Sequence, residues 1–348
     1  MDILHHTSLL PSYDRTLLQE KIIHIGLGAF HRGHQAFILD QLLRLDQSGQ
    51  WGICAISLFG SSTSSSIIEQ MGRQDNLYTV IQRYNQTAEI TVVGSIINTM
   101  QRQKVGNRAI LEKLLEPQVA IITLTITEKG YCLHPNGEGL DLTHPDILHD
   151  LAHPEDPITV PALLFYALKR RSELNRQPIT ILSCDNIPEN GLKLKNAIIS
   201  YAQRVDPSFI SYIDNQVAFP CIMVDRIVPA TTEETLHSLE QQWNMDDPCA
   251  IETEPFLQWV IEDQFAGEIP SWDKIKGVSI VKDVCPYEEM KLRMLNGTHS
   301  FFAYVGLLSG YRTVSECANH PLFEKAALAL MQYEQQETLT IKEIELVN

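Results

Sequence analysis

The sequence predicts an α/β domain with a mostly parallel sheet, followed by the beginning of a mostly α-helical domain. Three observations carry this expectation. Short apolar runs rich in β-branched residues alternate with helical stretches through most of the chain. A glycine-punctuated turn follows the first of these runs. From Pro286 onward the pattern is helical only. Strands alternating with helices indicate crossover units and a parallel sheet.

The first strand is expected at 21–26 (KIIHIG), with a glycine turn after it and a helix from about Gly33 to Leu45. A second strand reads at 51–58. The run 118–126 (QVAIITLTI) is nearly free of charge, as a strand buried on both faces should be. PITILSCDN at 178–186 repeats that pattern. A helix from about Pro161 to Leu174 lies between them, opened by a proline in its first turn. Another spans about Glu189 to Arg204, and a further apolar run covers 217–227. We place a domain boundary near 285, giving domains 1–285 and 286–348. In the second, Gly310 is a plausible helix stop and Pro321 a helix start. About 60 residues are few for an independent core.

Bulk properties exclude several function classes. The 348 residues carry a net charge of -16, which disfavours nucleic acid or an anionic membrane as partner. No apolar stretch approaches the roughly 20 residues of a membrane span, and the N-terminus lacks a basic-then-apolar leader. A cytoplasmic location is expected. The seven cysteines are scattered without a CxxC pair, so neither a disulfide framework nor a cysteine zinc site is expected.

The first strand runs into Gly26-Leu27-Gly28-Ala29-Phe30-His31-Arg32-Gly33. Paired glycines between strand and helix allow a tight turn and close backbone approach to a pyrophosphate, as in a Rossmann-like dinucleotide-binding domain. Two features depart from that pattern. His31 holds the third glycine position, and Ser57-Leu58-Phe59-Gly60-Ser61 lacks the acidic residue that would meet a ribose hydroxyl. A glycine turn without ligand is the competing reading. No Arg or Lys follows before Arg73, so NAD and NADP stay open on the residues.

A second constellation lies at Glu288 to Ser300. On an α-helix at 100° per residue, Glu288, Lys291, Asn296 and His299 share an arc of about 140°. Burying four polar groups together is unfavourable unless they pair with one another or with a ligand. A desolvated lysine loses proton affinity and becomes useful as a general acid or base near neutrality. The competing reading is a lysine snorkelling to solvent beside a capping asparagine. Gly297, inside this helix, calls for a reason such as close packing. At the end of the 178–186 strand, Asn186 fits either a substrate oxygen or a helix cap. Asp225-Arg226 fits either an ion pair or a pocket. His31 and His34 could share a metal, but no third ligand is apparent, and none is expected.

His24 to Ala36, Thr127 to Tyr131, Ser183 to Asn186, Val224 to Ile227 and Lys291 to His299 together resemble the mannitol dehydrogenase family of long-chain polyol and uronate dehydrogenases. The matches are colinear over almost the whole chain. His31 is the family's own residue at its position. The stretches 219–236, 247–265 and 287–304 look closest to the fructuronate reductases of that family. The resemblance implies reversible hydride transfer between NAD, with NADP not excluded, and a small-molecule sugar acid, interconverting D-mannonate and D-fructuronate. A mannitol-type polyol substrate is the alternative, and a monomer is expected. It implies Lys291 as general acid/base, Asn186 and Asn296 as donors to the carbonyl oxygen, His299 as its orienting group and Glu288 as a proton relay. It implies cofactor contacts from Gly26, Gly28, Ala29, Phe30, Arg32, Thr127 and Asp225. Family members continue well past the position of Asn348. Weaker substrate binding than in a complete member is therefore expected, with apolar surface exposed on the last helix. A folded cofactor-binding remnant without turnover is the competing outcome.

Overall fold

A computed structural model describes residues 9–46, 49–58, 62–84, 87–135 and 139–340, the side chains of 62–66 excepted. The chain divides into two compact units, Met1–Ile280 and Val281–Asn348.

Among the described residues twelve strands are seen, all but the last residue of the twelfth within the first unit. They are β1 (Gln19–Ile25), β2 (Trp51–Ser57), β3 (Tyr78–Tyr84), β4 (Thr87–Val93), β5 (Ile96–Gln101), β6 (Ile121–Leu124), β7 (Ile179–Ser183), β8 (Val217–Ala218), β9 (Ile222–Asp225), β10 (Ile251–Thr253), β11 (Gln258–Glu262) and β12 (Val278–Val281). Six of them form one sheet in the order β5-β2-β1-β6-β7-β8, every neighbouring pair parallel. Counting only these six along the chain, the order is 3-2-1-4-5-6. The order reverses between β1 and β6, and ligands of such sheets bind beyond the strand ends at that reversal.

Strand alternation explains how the sheet is sandwiched. Ile23 and Ile25 of β1 join the core of the helices Arg102–Leu114, Val160–Glu173 and Asn190–Val205. Ile22 faces the opposite core, with Phe37, Leu39, Trp259 and Trp272. All residues of β2, β6 and β7 are buried, which is why these strands read as charge-free runs.

Several elements differ from expectation. The helix expected from Gly33 begins earlier, at Ala29, and is broken at His34 (φ -125°, ψ -91°) into Ala29–Gly33 and Gln35–Leu45. The His34 ring contacts the Gln258 carbonyl at 2.9 Å, a tie that overrides local helix preference. The 118–126 strand is trimmed to 121–124, because the Ile126 and Thr127 amides donate to Asp185 rather than to a ladder. The 217–227 run splits at Phe219-Pro220-Cys221 into β8, in the main sheet, and β9, in another. Two small sheets, β10-β3-β4 and β12-β11-β9, accompany the main one.

In the second unit, a helical stretch runs from Cys285 to Leu308. Its ends, Cys285–Met290 and Gly297–Leu308, are α-helical, but Lys291–Asn296 is π-helical. Gly310 follows at φ +87°, which suits a glycine after a helix end. Pro321 opens the helix Pro321–Leu330, and Met331–Gln335 forms a second π-helical turn. Leu322 and Tyr333 are each more than 70% exposed, Leu328 about half. Residues 341–348 lie outside the described residues. No helix among the described residues is long and apolar enough to cross a membrane.

Candidate active site

β1 ends by delivering Gly26 to the reversal point of the sheet. Gly26 has φ +107°, and a Cβ there would lie 2.0 Å from the Thr125 carbonyl oxygen. Only glycine fits. Its amide donates to the Ile56 carbonyl at 2.9 Å, and Thr125 Oγ1 donates to its carbonyl at 2.7 Å. Gly28 differs in kind. It is exposed, its backbone is extended, and a Cβ would meet only the Gly26 carbonyl, at 3.8 Å. Open space above a glycine at a strand-to-helix turn suits the close approach of a dinucleotide. Ala29 and Phe30 follow, both half-buried, with Phe30 stacked on His34 at 5.0 Å. Gly33 closes the turn. A Cβ there would crowd Thr253, Val228 and Ile251 at 3.0–3.2 Å.

Arg32 turns away from this surface. It is buried, donates to the Cys249 carbonyl, and lies over the Tyr78 ring at 5.5 Å. Burial pushes its guanidinium pKa down. These contacts make Arg32 a tie between the turn and the Cys249 segment. Arg226 does similar work: it donates to the carbonyls of Gly33 and Glu254 and stacks over Phe37 at 4.6 Å. Beside it, Asp225 ends β9.

Just past β6 stands Thr127, at φ +63°, a strained value for a β-branched residue. Asp185, just past β7, holds it there. The carboxylate accepts from the amides of Ile126 (3.0 Å) and Thr127 (2.9 Å) and from the Tyr131 hydroxyl (2.5 Å). Asn186 follows and is exposed. Glu189 stands at the N-cap position of the helix Asn190–Val205, three residues after Asn186. In the sequence Asp185 stood within the polar stretch Ser183 to Asn186 but was given no role of its own. Asp185→Ala should destabilise the fold by about 2 kcal/mol, since one part-buried amide, one exposed amide and a part-buried hydroxyl lose a charged acceptor. Urea unfolding that shifts by less than about 1 kcal/mol would show those donors re-satisfied elsewhere.

The second unit carries the other constellation. Lys291, Asn296 and Glu288 are half-buried and His299 is exposed, so the expected deep burial of this helix is not observed. Nor does α-helical spacing apply: the Gly297 amide donates back to the Leu292 carbonyl, five residues earlier. Wider turns bring residues five apart, such as Lys291 and Asn296, onto one face. A Cβ at Gly297 would lie 2.7 Å from the Gln335 side-chain nitrogen, the movable end of a flexible side chain, so packing does not by itself require glycine there. Thr298 Oγ1 donates to the same amide group at 3.2 Å.

His31 and His34 have separate surroundings: His31 stacks on His24 at 3.3 Å, while His34 meets Gln258. Among the described residues no group of three or more His, Cys, Asp or Glu could hold a metal ion. Phe59-Gly60-Ser61, where an acidic ribose acceptor is missing, lie outside the described residues.

Comparison with known proteins follows the same division. The family model described as the mannitol dehydrogenase Rossmann domain matches residues 20–274, and that of the mannitol dehydrogenase C-terminal domain matches 283–348. An uncharacterized oxidoreductase of Escherichia coli (strain K12), YeiQ, is 48% identical over 342 residues, 98% of this chain and 69% of its own length. The D-mannonate oxidoreductase of the same organism is 45% identical over 333 residues, 96% of this chain and 68% of its own. The solved ternary complex of Pseudomonas fluorescens mannitol 2-dehydrogenase with NAD and D-mannitol is similar at a TM-score of 0.89 and 35% identity. That match covers 98% of this chain and 70% of that one.

Proposed function

This chain belongs to the mannitol dehydrogenase family of oxidoreductases, and we propose that it interconverts D-mannonate and D-fructuronate with NAD as cofactor. The observation that carries the substrate is the 45% identity to the D-mannonate oxidoreductase, sustained over 96% of the chain. A mannitol-type polyol is the second reading, favoured by the likeness to the mannitol 2-dehydrogenase complex.

The Rossmann domain implies a nucleotide cofactor. Gly26, Gly28, Ala29, Phe30 and Thr127 would face it. Arg32 and Asp225 would shape the crevice from behind. When bound, the reduced nicotinamide supplies a hydride to the substrate's carbonyl carbon. The remaining chemistry belongs to the chain. The Lys291 ammonium gives a proton to the carbonyl oxygen in reduction, and the amine takes it back in oxidation. Asn186 and Asn296 donate amide hydrogens to that oxygen as its charge grows. His299 orients it, and Glu288 passes the proton onward to water. No step requires a metal.

Following the reduced-nicotinamide absorbance with D-fructuronate, D-fructose, D-mannonate and D-mannitol tests this reading. The expected result is a higher kcat/KM for D-fructuronate than for D-fructose, the measure by which an enzyme discriminates between substrates. Preference for D-fructose would establish the polyol reading. NADH binding without any turnover would leave a cofactor-binding remnant.

A further inference from the structure

We propose that His24 is a positioning residue of the cofactor turn, holding the Gly26 carbonyl through a neutral imidazole fixed in one tautomer. This rests on the reading of Gly26 to Phe30 as the cofactor seat.

His24 is fully buried near the end of β1, flanked by the buried Ile22, Ile23 and Ile25. It sits opposite Thr123 in the β1–β6 register, at the reversal point of the sheet. Its Nε2 lies 3.1 Å from the Gly26 carbonyl oxygen and 3.0 Å from Thr125 Oγ1, and its Nδ1 lies 2.8 Å from Thr123 Oγ1. A carbonyl only accepts, so Nε2 must carry the hydrogen. Nδ1 is then the acceptor, and the Thr123 hydroxyl donates to it. Thr125 Oγ1 donates to the same Gly26 carbonyl, so both lone pairs of that oxygen are engaged. On its outer face the ring is covered by His31, stacked at 3.3 Å and 8°.

The consequence is geometric. Gly26 needs φ +107°, and its neighbour Gly28 must present open backbone. The Gly26 amide is tied to Ile56 on one side, and its carbonyl to His24 and Thr125 on the other. A peptide held at both ends keeps the turn in one shape before a ligand arrives, which lowers the ordering cost of binding.

The test measures NADH dissociation constants and thermal unfolding on the full chain. His24→Leu should weaken NADH at least about tenfold, a loss of roughly 1.4 kcal/mol. His24→Gln, whose amide can place an N–H near the Nε2 position, should recover most of it. Leu168→Ala, in the core of the opposite face, should lower the melting temperature comparably and leave NADH affinity unchanged. Thr125→Val probes the second donor should His24→Leu not fold, and should also weaken NADH. His24→Leu or Thr125→Val binding NADH as tightly as the unmodified chain would reduce His24 to a packing residue. An unmodified chain that binds neither NADH nor NADPH would instead overturn the cofactor reading beneath the proposal.

Discussion

Lys291→Ala is expected to lower kcat by about 10²–10⁴-fold, the usual contribution of a positioned acid or base, with little change in NADH affinity. The argument comes from where the residue sits. Lys291 opens the π-helical turn, five residues before Asn296, so a widened turn presents amine and carboxamide together. Lys291→Arg separates charge from proton transfer. Arginine keeps the positive charge but does not give up its proton in the working range. It should be nearly as slow as the alanine variant. A rate loss below about tenfold for Lys291→Ala, or full activity in Lys291→Arg, would remove the residue from the acid–base role. The plot of kcat against pH supplies the second reading. Its lysine-dependent limb should vanish in the variants, which a merely structural side chain would not cause.

The parallel sheet was legible because its strands are buried on both faces. Ile22, Ile23 and Ile25 of β1, and every residue of β2, β6 and β7, have no solvent side to mark with charge. The cofactor turn was legible for a related reason: Gly26 and Gly28 stand directly after such a strand. What escaped depends on partners distant along the chain. β3 pairs with β10, about 170 residues later, and carries polar Gln82 and Arg83 toward its end. The break at His34 is tied to the Gln258 carbonyl, and the Thr127 backbone is held by a carboxylate 58 residues on. No local propensity records such ties. The π-helical turn escaped because periodicity arguments assume a constant 3.6 residues per turn. His24 was visible as the one polar side chain within the run Ile22–Ile25. Its meaning needed the register that sets it against Thr123.

The buried histidines make folding stability steeply dependent on acid. Burial pushes the His24 pKa down to about 3, from an ordinary value near 6.5, although the Gly26 carbonyl opposes the shift. His31 is also pushed well below its ordinary value, first by burial and then by the neighbouring His24. Each ring therefore stays neutral in the fold and gains a proton when the chain unfolds below pH about 6.5. Their contribution is complete above that pH and is lost as pH falls from about 6.5 toward 3. For His24 the loss across that window is on the order of a few kcal/mol. Partially paired carboxylates add a slope of their own, so the informative quantity is a difference between chains. His31→Leu keeps similar volume over the His24 ring and removes one titrating group. Urea unfolding from pH 6 to pH 4 should give that variant a shallower decline than the unmodified chain. Parallel declines would mean that the His31 ring takes up no proton on unfolding and is not a source of the acid dependence.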